Sequence, residues 1–357
     1  VTSPRVPVRR YRDPLDQVWL ETASRLGLRV ERGSAAYATT DGRGALLLGS
    51  PETLDPDDCL AQMILHEICH WLVQGEAARD LPDWGLDNQG TRDGWREEAT
   101  LRTQAVLLAR HGLRRLLAPT TDWRAFYDAL PENPLEPRTD AGVPLAIHAL
   151  QRAERAPFAP HLAKALAATG TIARAAREFA REGGGDLPAP WDLVDDPPAL
   201  HPTGLPGALH ADGSCGTCAW RFERRGASRC RQADGARVDP AWPACERHED
   251  ALDCRACGAC CRGAYDAVLI GQRDPVRRLH PELVVRDGFL LGIARKGDRC
   301  AALDGGFEAP ADPARDARPT YRPHACTIHP DRPRICRDFE VSGEHCLTAR
   351  RRVGLSA

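Results

Sequence analysis

Lysine is almost missing from this 357-residue chain: of 48 basic residues only Lys164 and Lys296 are lysines, and the rest are arginines. A bias of that kind follows codon composition and carries no functional weight. A surplus of one charge sign is missing as well. The formal net charge is −2, with +4 on the residues from Gly207 onward and −6 on those before it. Neither part has the basic surface of a nucleic-acid binder. No apolar run is long enough to cross a bilayer. The opening residues Val1-Thr2-Ser3-Pro4-Arg5 have no apolar core behind them, so no signal peptide is read there and a cytoplasmic protein is expected. Aromatics are scarce at 6%, yet eight tryptophans and a hydrophobic content of 42% are enough to fill cores. The length points to two domains.

Cysteine is abundant instead. Of fourteen, Cys59 and Cys69 lie early and twelve fall between Cys215 and Cys346. Without an export signal, such density points to metal or cluster ligation rather than to disulfides. The sharpest composition break is 183–206, which opens on Gly183-Gly184-Gly185 and carries six prolines. It reads as a linker, because neither helix nor central strand tolerates that composition. A first domain is placed at about 10–182 and a second at about 207–350.

The first domain begins with a helix capped by Asp13, with Pro14 in its first turn and Gly27 at its end. Short extended segments follow at 28–30, 35–40 and 44–48. A second helix is expected from an Asp55 cap and Pro56 to Gly75. A third covers about 95–110, and alanine-rich helices are expected near 122–130, 144–155 and 159–181. The fold class is therefore α+β: a zincin-like domain with a small sheet and a helix pair, then an irregular cysteine-rich metal-binding domain.

The second helix contains His66-Glu67-Ile68-Cys69-His70. Histidines four apart lie on one helix face, so both imidazoles can reach one ion, and Glu67 between them can act as general base on metal-bound water. Such a site needs a third ligand. Glu98, followed by Ala99 on the next helix, resembles the third-ligand Glu-Ala of thermolysin-like zinc peptidases and is the first choice. Glu97 is the alternative, because one residue of rotation exchanges them. Two His and one Glu suit catalytic Zn(II) and non-haem Fe(II) equally. Cys69 reads as a small buried hydrophobe, and His111 and His148 as ordinary residues.

The segment His66-Glu67-Ile68-Cys69-His70-Trp71, Gly75 and Asp83-Trp84-Gly85-Leu86 resembles the bacterial elongation factor P hydroxylase family over roughly 55–110. That resemblance implies a hydroxylase-like metal site with His66, His70 and a downstream Glu as ligands. The chain departs from that family after Glu98.

The densest thiol run is Cys254-x-x-Cys257-x-x-Cys260-Cys261, followed by Cys300, Cys326, Cys336 and Cys346. Two-residue gaps let a tight turn aim its thiolates at one centre, and Gly258 eases that turn. Adjacent Cys260 and Cys261 are expected to project differently and to serve different centres or faces. With Cys326-Thr-Ile-His-Pro-Asp-Arg-Pro-Arg-Ile-Cys336-Arg-Asp-Phe339, the pattern is similar to the YkgJ-type zinc- or iron-chelating cysteine-cluster family over about 254–350. The resemblance implies bound zinc or an iron–sulfur cluster. The long stretch 304–319 lengthens the usual spacing and reads as a loop insertion. Arg255, Arg262, Arg334 and Arg337 beside the thiolates would offset a cluster's negative charge. Four earlier thiols, Cys215, Cys218, Cys230 and Cys245, have the ligand count of one further tetrahedral site in a small zinc-ribbon-like lobe, with His248 able to replace a thiol.

Three functions fit. The first is an oxidative, hydroxylase-like iron enzyme acting on a protein substrate, translation-factor-like or a peptide, with a cysteine cluster in support. The second is a zinc peptidase or other hydrolase with a structural zinc domain. The third is a non-catalytic metal-binding adaptor. No nucleic-acid or membrane partner is expected.

Overall fold

A computed structural model describes residues 8–87, 90–120, 123–180, 189–209, 213–310 and 317–356. The chain is α+β, with helices and several small sheets. Helix α1, Pro14–Arg25, starts where expected: the Asp13 carboxylate accepts from the backbone N–H of Leu15 and Asp16. Strands β1 (Arg29–Gly33), β2 (Ala38–Thr40) and β3 (Ala45–Gly49) form one sheet in the order β1-β3-β2, with β1 parallel and β2 antiparallel to β3. Beyond them run α2 (Leu60–Gln74), α3 (Gly94–Ala109), α4 (Arg124–Asp128), α5 (Gly142–Ala153) and α6 (His161–Arg177). Residue 122, the expected start of the fourth helix, and residue 181, the expected end of the last, lie outside the described residues.

Helix α2 begins four residues later than its sequence signals suggest. Its N-cap is Cys59, whose sulfur accepts from the Gln62 N–H. The acidic residues ahead of it are used elsewhere. Asp58 accepts from the hydroxyls of Tyr37 and Thr120 and from the Asp55 N–H, which ties 55–58 into a loop. The end is as expected. Gly75 adopts φ 91°, and Arg152 donates to the terminal carbonyls of Leu72 and Val73. All of α2 except His66 and Gln74 is buried. Apolar side chains such as Ile64, Leu65, Ile68 and Leu72 are fully enclosed, each contributing about 1.5–3 kcal/mol. A helix buried on every side leaves its polar residues no solvent, so each of them needs a partner.

Contacts group the chain into two compact units. The first comprises the described residues of Val1–Leu86, Thr103–Ala129 and Arg152–Pro197; the second, those of Asp87–Arg102, Leu130–Gln151 and Pro198–Ala357. The division falls inside α3, which is one continuous helix. In the first unit, α1 packs against α2 and α6. There Trp19 is wholly buried and donates its indole N–H to Thr169 at 3.0 Å. Part of the proline-rich stretch, 183–188, lies outside the described residues. Its continuation packs on this unit: Asp195 donates its N–H to the Gly112 carbonyl and pairs with Arg115. Gly112 has φ +72°, and a Cβ there would sit 2.0 Å from the Asp195 carbonyl oxygen, so only glycine fits.

Besides the start of α3 and most of α5, the second unit has short elements and, from Pro198 on, small cores. Strands β4 (Arg221–Arg224), β5 (Ala227–Cys230) and β6 (Ala236–Arg237) form a meander, and Val284–Asp287 pairs with Leu290–Ile293. Among the described residues from 213 on, the apolar clusters hold three to five buried residues each. The expected insertion at 304–319 is not simply a loop. Leu303–Glu308 and Thr320–Cys326 form an antiparallel hairpin with an irregularity between Asp304 and Gly306. The glycines that suggested a loop permit close approach there: a Cβ on Gly305 would lie 2.2 Å from the Pro323 carbonyl oxygen. Residues 311–316 lie outside the described set. Among the described residues, no helix is long and apolar enough to cross a membrane.

Candidate metal centres

His66 is the one of the two histidines that α2 leaves partly open, and its ring reaches Gln104 on α3. The two Nε2 atoms of His66 and His70 face each other at 3.1 Å, with the rings at 87°. Two basic nitrogens at that distance repel unless a proton or a cation lies between them. Two imidazoles bound to one ion by bonds of about 2.0–2.1 Å have their nitrogens roughly 2.9–3.4 Å apart. The observed separation therefore already suits a shared ion. His66, His70 and Glu97 each offer a ligand atom within 4.8 Å of the others, and this is the one such group of three among the described residues.

The carboxylate in this group is Glu97, the alternative in the sequence reading; the first choice, Glu98, is not part of it. One residue along a helix is a rotation of about 100°. Glu98 accordingly points elsewhere and forms an ion pair with Arg318.

Two further residues hold side chains of the motif, Gln104 holding His66 and Trp84 holding Glu67, and the sequence reading did not single out either in this role. Gln104, fully buried on α3, donates its amide N–H to the Leu117 carbonyl at 2.9 Å. That assigns its Oε1 to His66 Nδ1, 2.9 Å away, as acceptor. The His66 proton then sits on Nδ1, leaving Nε2 as the donor atom for an ion. Gln104 follows Glu97 by seven residues, or two turns, which puts both on one helix face. That spacing was the available signal.

The second is Trp84, whose indole N–H donates to Glu67 Oε2 at 2.7 Å. Glu67 is 5% exposed and Trp84 3%, so this bond is sealed from water. The Trp84 ring also stacks on Trp71 at 5.9 Å. Its backbone is unusual. Asp83 and Trp84 both have positive φ, 49° and 57°, before Gly85 at 75°. Left-handed conformations at non-glycine residues cost on the order of 1–3 kcal/mol each and concentrate at functional sites. Asp83 is pinned in turn by the Thr39 hydroxyl and Pro82 by a bridge to Asp41. Cys69 is fully buried, as its reading as a small hydrophobe requires.

None of the fourteen cysteines is joined in a disulfide. Cys215, Cys218, Cys230 and Cys245 line one small pocket, together with His201 and His248. Burial, reinforced by the neighbouring thiols, pushes Cys215 up to about 11. It pushes Cys245 up to about 12. The Cys254–Cys257 turn ends at Gly258, φ 60°. Cys257 and Cys260 pack on one small core, and Cys300 and Cys326 on another. The Cys260 and Cys261 sulfurs are only 3.8 Å apart, so these neighbours do not diverge as their adjacency suggested. The short turn over Ala259–Cys261 brings them together. Their shared proton lowers Cys260 and raises Cys261. Burial and adjacent thiols push Cys336 up to about 12. Burial likewise raises Cys254, Cys300 and Cys346. Of the four arginines expected to offset thiolate charge, Arg334 and Arg337 pair with Asp338 and Asp274. Arg262 reaches the Cys257 carbonyl.

No family model, no curated protein and no solved structure matches this chain.

Proposed function

We propose that this chain is a metal-dependent enzyme in which His66, His70 and Glu97 hold one ion. We further propose that its chemistry is an oxidative, hydroxylase-like modification of a protein side chain. The observation that carries the reading is the convergence of these three donors on two adjacent helices. Two imidazoles and one carboxylate occupy part of a coordination sphere and leave positions for a substrate or co-substrate. Fe(II) in that sphere would supply activation of dioxygen. The protein's own contribution is orientation. Gln104 sets the His66 tautomer, and Trp84 fixes the Glu67 carboxylate. The likeness of 55–110 to the elongation factor P hydroxylases supports an oxidative role. The YkgJ-like cysteine region, about 254–350, would hold zinc or an iron–sulfur cluster in support.

A specific observation favours a second reading. Glu67 is buried, fixed and one residue from a ligand, as the general base of a zinc hydrolase requires. There Glu67 would accept a proton from the attacking water. The test is full-length protein purified without oxygen, loaded with Fe(II) and exposed to nitric oxide. The oxidative reading expects a paramagnetic nitrosyl signal that disappears in Glu97→Ala. Retention of zinc alone, with peptide cleavage abolished by Glu67→Gln, would overturn it in favour of the hydrolase.

A further inference from the structure

A separate site lies at 201–248, outside both family resemblances. Its four sulfurs come from three chain segments. Cys215 and Cys218 sit on the turn before β4, Cys230 ends β5, and Cys245 lies on the turn after β6. Backbone bonds lock these turns together: Cys215 N–H to the Trp242 carbonyl, Gly216 N–H to that of Pro240, and Ala208 N–H to that of Ala244. Cys215, Cys230 and Cys245 are 7–8% exposed. Few apolar residues accompany them, since the local core is Cys215, Cys230 and Val238 with Ala233 and Trp242 beside it. A lobe this poor in apolar contacts needs another source of cohesion.

The donors around the sulfurs show which form they are built to hold. The backbone N–H groups of Trp220 and Glu249 face Cys218, and that of Arg247 faces Cys245. His201, 4% exposed, brings Nε2 to 3.2 Å from the Cys215 sulfur. Nδ1 faces the Thr203 hydroxyl at 2.6 Å and the Thr203 backbone N–H at 3.2 Å, both of which can donate to it. With Nδ1 as acceptor the ring proton is on Nε2, which faces the Cys215 sulfur, and the Pro243 carbonyl is a second acceptor for the ring. N–H donors converging on sulfur favour thiolates, and buried thiolates in turn need a cation. His248, by contrast, turns Nε2 to the Thr217 hydroxyl at 3.1 Å and towards Asp250 at 3.6 Å.

We propose that Cys215, Cys218, Cys230 and Cys245 form a closed four-sulfur site for zinc, with His201 as hydrogen-bond donor to Cys215 and neither histidine as ligand. On binding, each thiol yields its proton to solvent and the sulfurs draw inward, since no three of them lie within 4.8 Å of one another in this structure. Four thiolates leave no open position, so the site is structural and holds the meander β4–β6 to the flanking turns. This inference is independent of the enzyme reading.

The test uses full-length protein, compared with Cys230→Ser and His201→Ala. Cys230→Ser is expected to hold one zinc fewer per chain. After cobalt substitution, the difference spectrum between the two should carry the intense charge-transfer and low-energy ligand-field bands of a four-sulfur tetrahedral site. His201→Ala leaves the quartet intact, so it is expected to keep the zinc count and bind roughly 10–100-fold more weakly. Any of three results would overturn the proposal: an unchanged zinc count in Cys230→Ser, a nitrogen donor in the cobalt spectrum, or unchanged affinity in His201→Ala. If Cys230→Ser does not fold, the count and cobalt spectrum of wild type against His201→Ala still decide the ligand set.

Discussion

Replacing Trp84 by Phe removes the indole N–H from Glu67 while keeping an aromatic ring against Trp71. Both partners are almost wholly buried, so water cannot take the place of the lost donor. A hydrogen bond to a charged group is worth about 1.5–3 kcal/mol. In a domain of this size each kcal/mol lowers Tm by roughly 2–4 °C. The assay is urea unfolding of full-length protein followed by circular dichroism, in a cycle with Glu67→Gln. Trp84→Phe is expected to cost about 1.5–3 kcal/mol alone and at least ~1 kcal/mol less when Glu67 is already Gln. Equal costs in the two backgrounds would refute the reasoning. They would show that the carboxylate's charge adds nothing to the indole bond, since the amide oxygen introduced by Glu67→Gln can still accept it.

Other consequences follow from the same contacts. Gln104→Ala should weaken metal binding at the histidine pair by roughly 10–100-fold with little change in secondary structure, as measured by competition with a chromophoric chelator. Arg102, 5% exposed at its side chain, donates to the carbonyls of Pro134 and Glu136 and pairs with Asp140. Arg102→Ala should therefore destabilise by about 3–5 kcal/mol in denaturant unfolding. Stripping metal with a chelator under reducing conditions should expose 213–356 to protease before the segment from α1 to α2, because the former has only small apolar clusters. Mass mapping of the first cleavage sites checks this.

Local chemistry was readable where it acts alone. Asp13, Pro14 and Gly27 bound α1 as their residue types require. The histidine pair on α2 follows from spacing alone. The start of α2 did not, because Asp58 is claimed by Tyr37 and Thr120, partners 21 and 62 residues away. No window of sequence shows that competition. The choice between Glu97 and Glu98 depended on the rotation of α3 against its neighbours, which a local pattern does not contain. Gln104, two turns after Glu97, carried that phase but has no motif to announce it. In the glycine-rich stretch after Cys300, composition suggested a loop, whereas Gly305 and Gly306 allow a strand to pass close to its partner.

The central claim is that α2 and α3 share an ion through Glu97. The most direct measurement is metal content per chain, by mass spectrometry under native conditions, for wild type, Glu97→Ala and Glu98→Ala. The account predicts one ion fewer in Glu97→Ala and an unchanged count in Glu98→Ala, where only the Arg318 pair is lost. An unchanged count in Glu97→Ala, or a loss confined to Glu98→Ala, would contradict it.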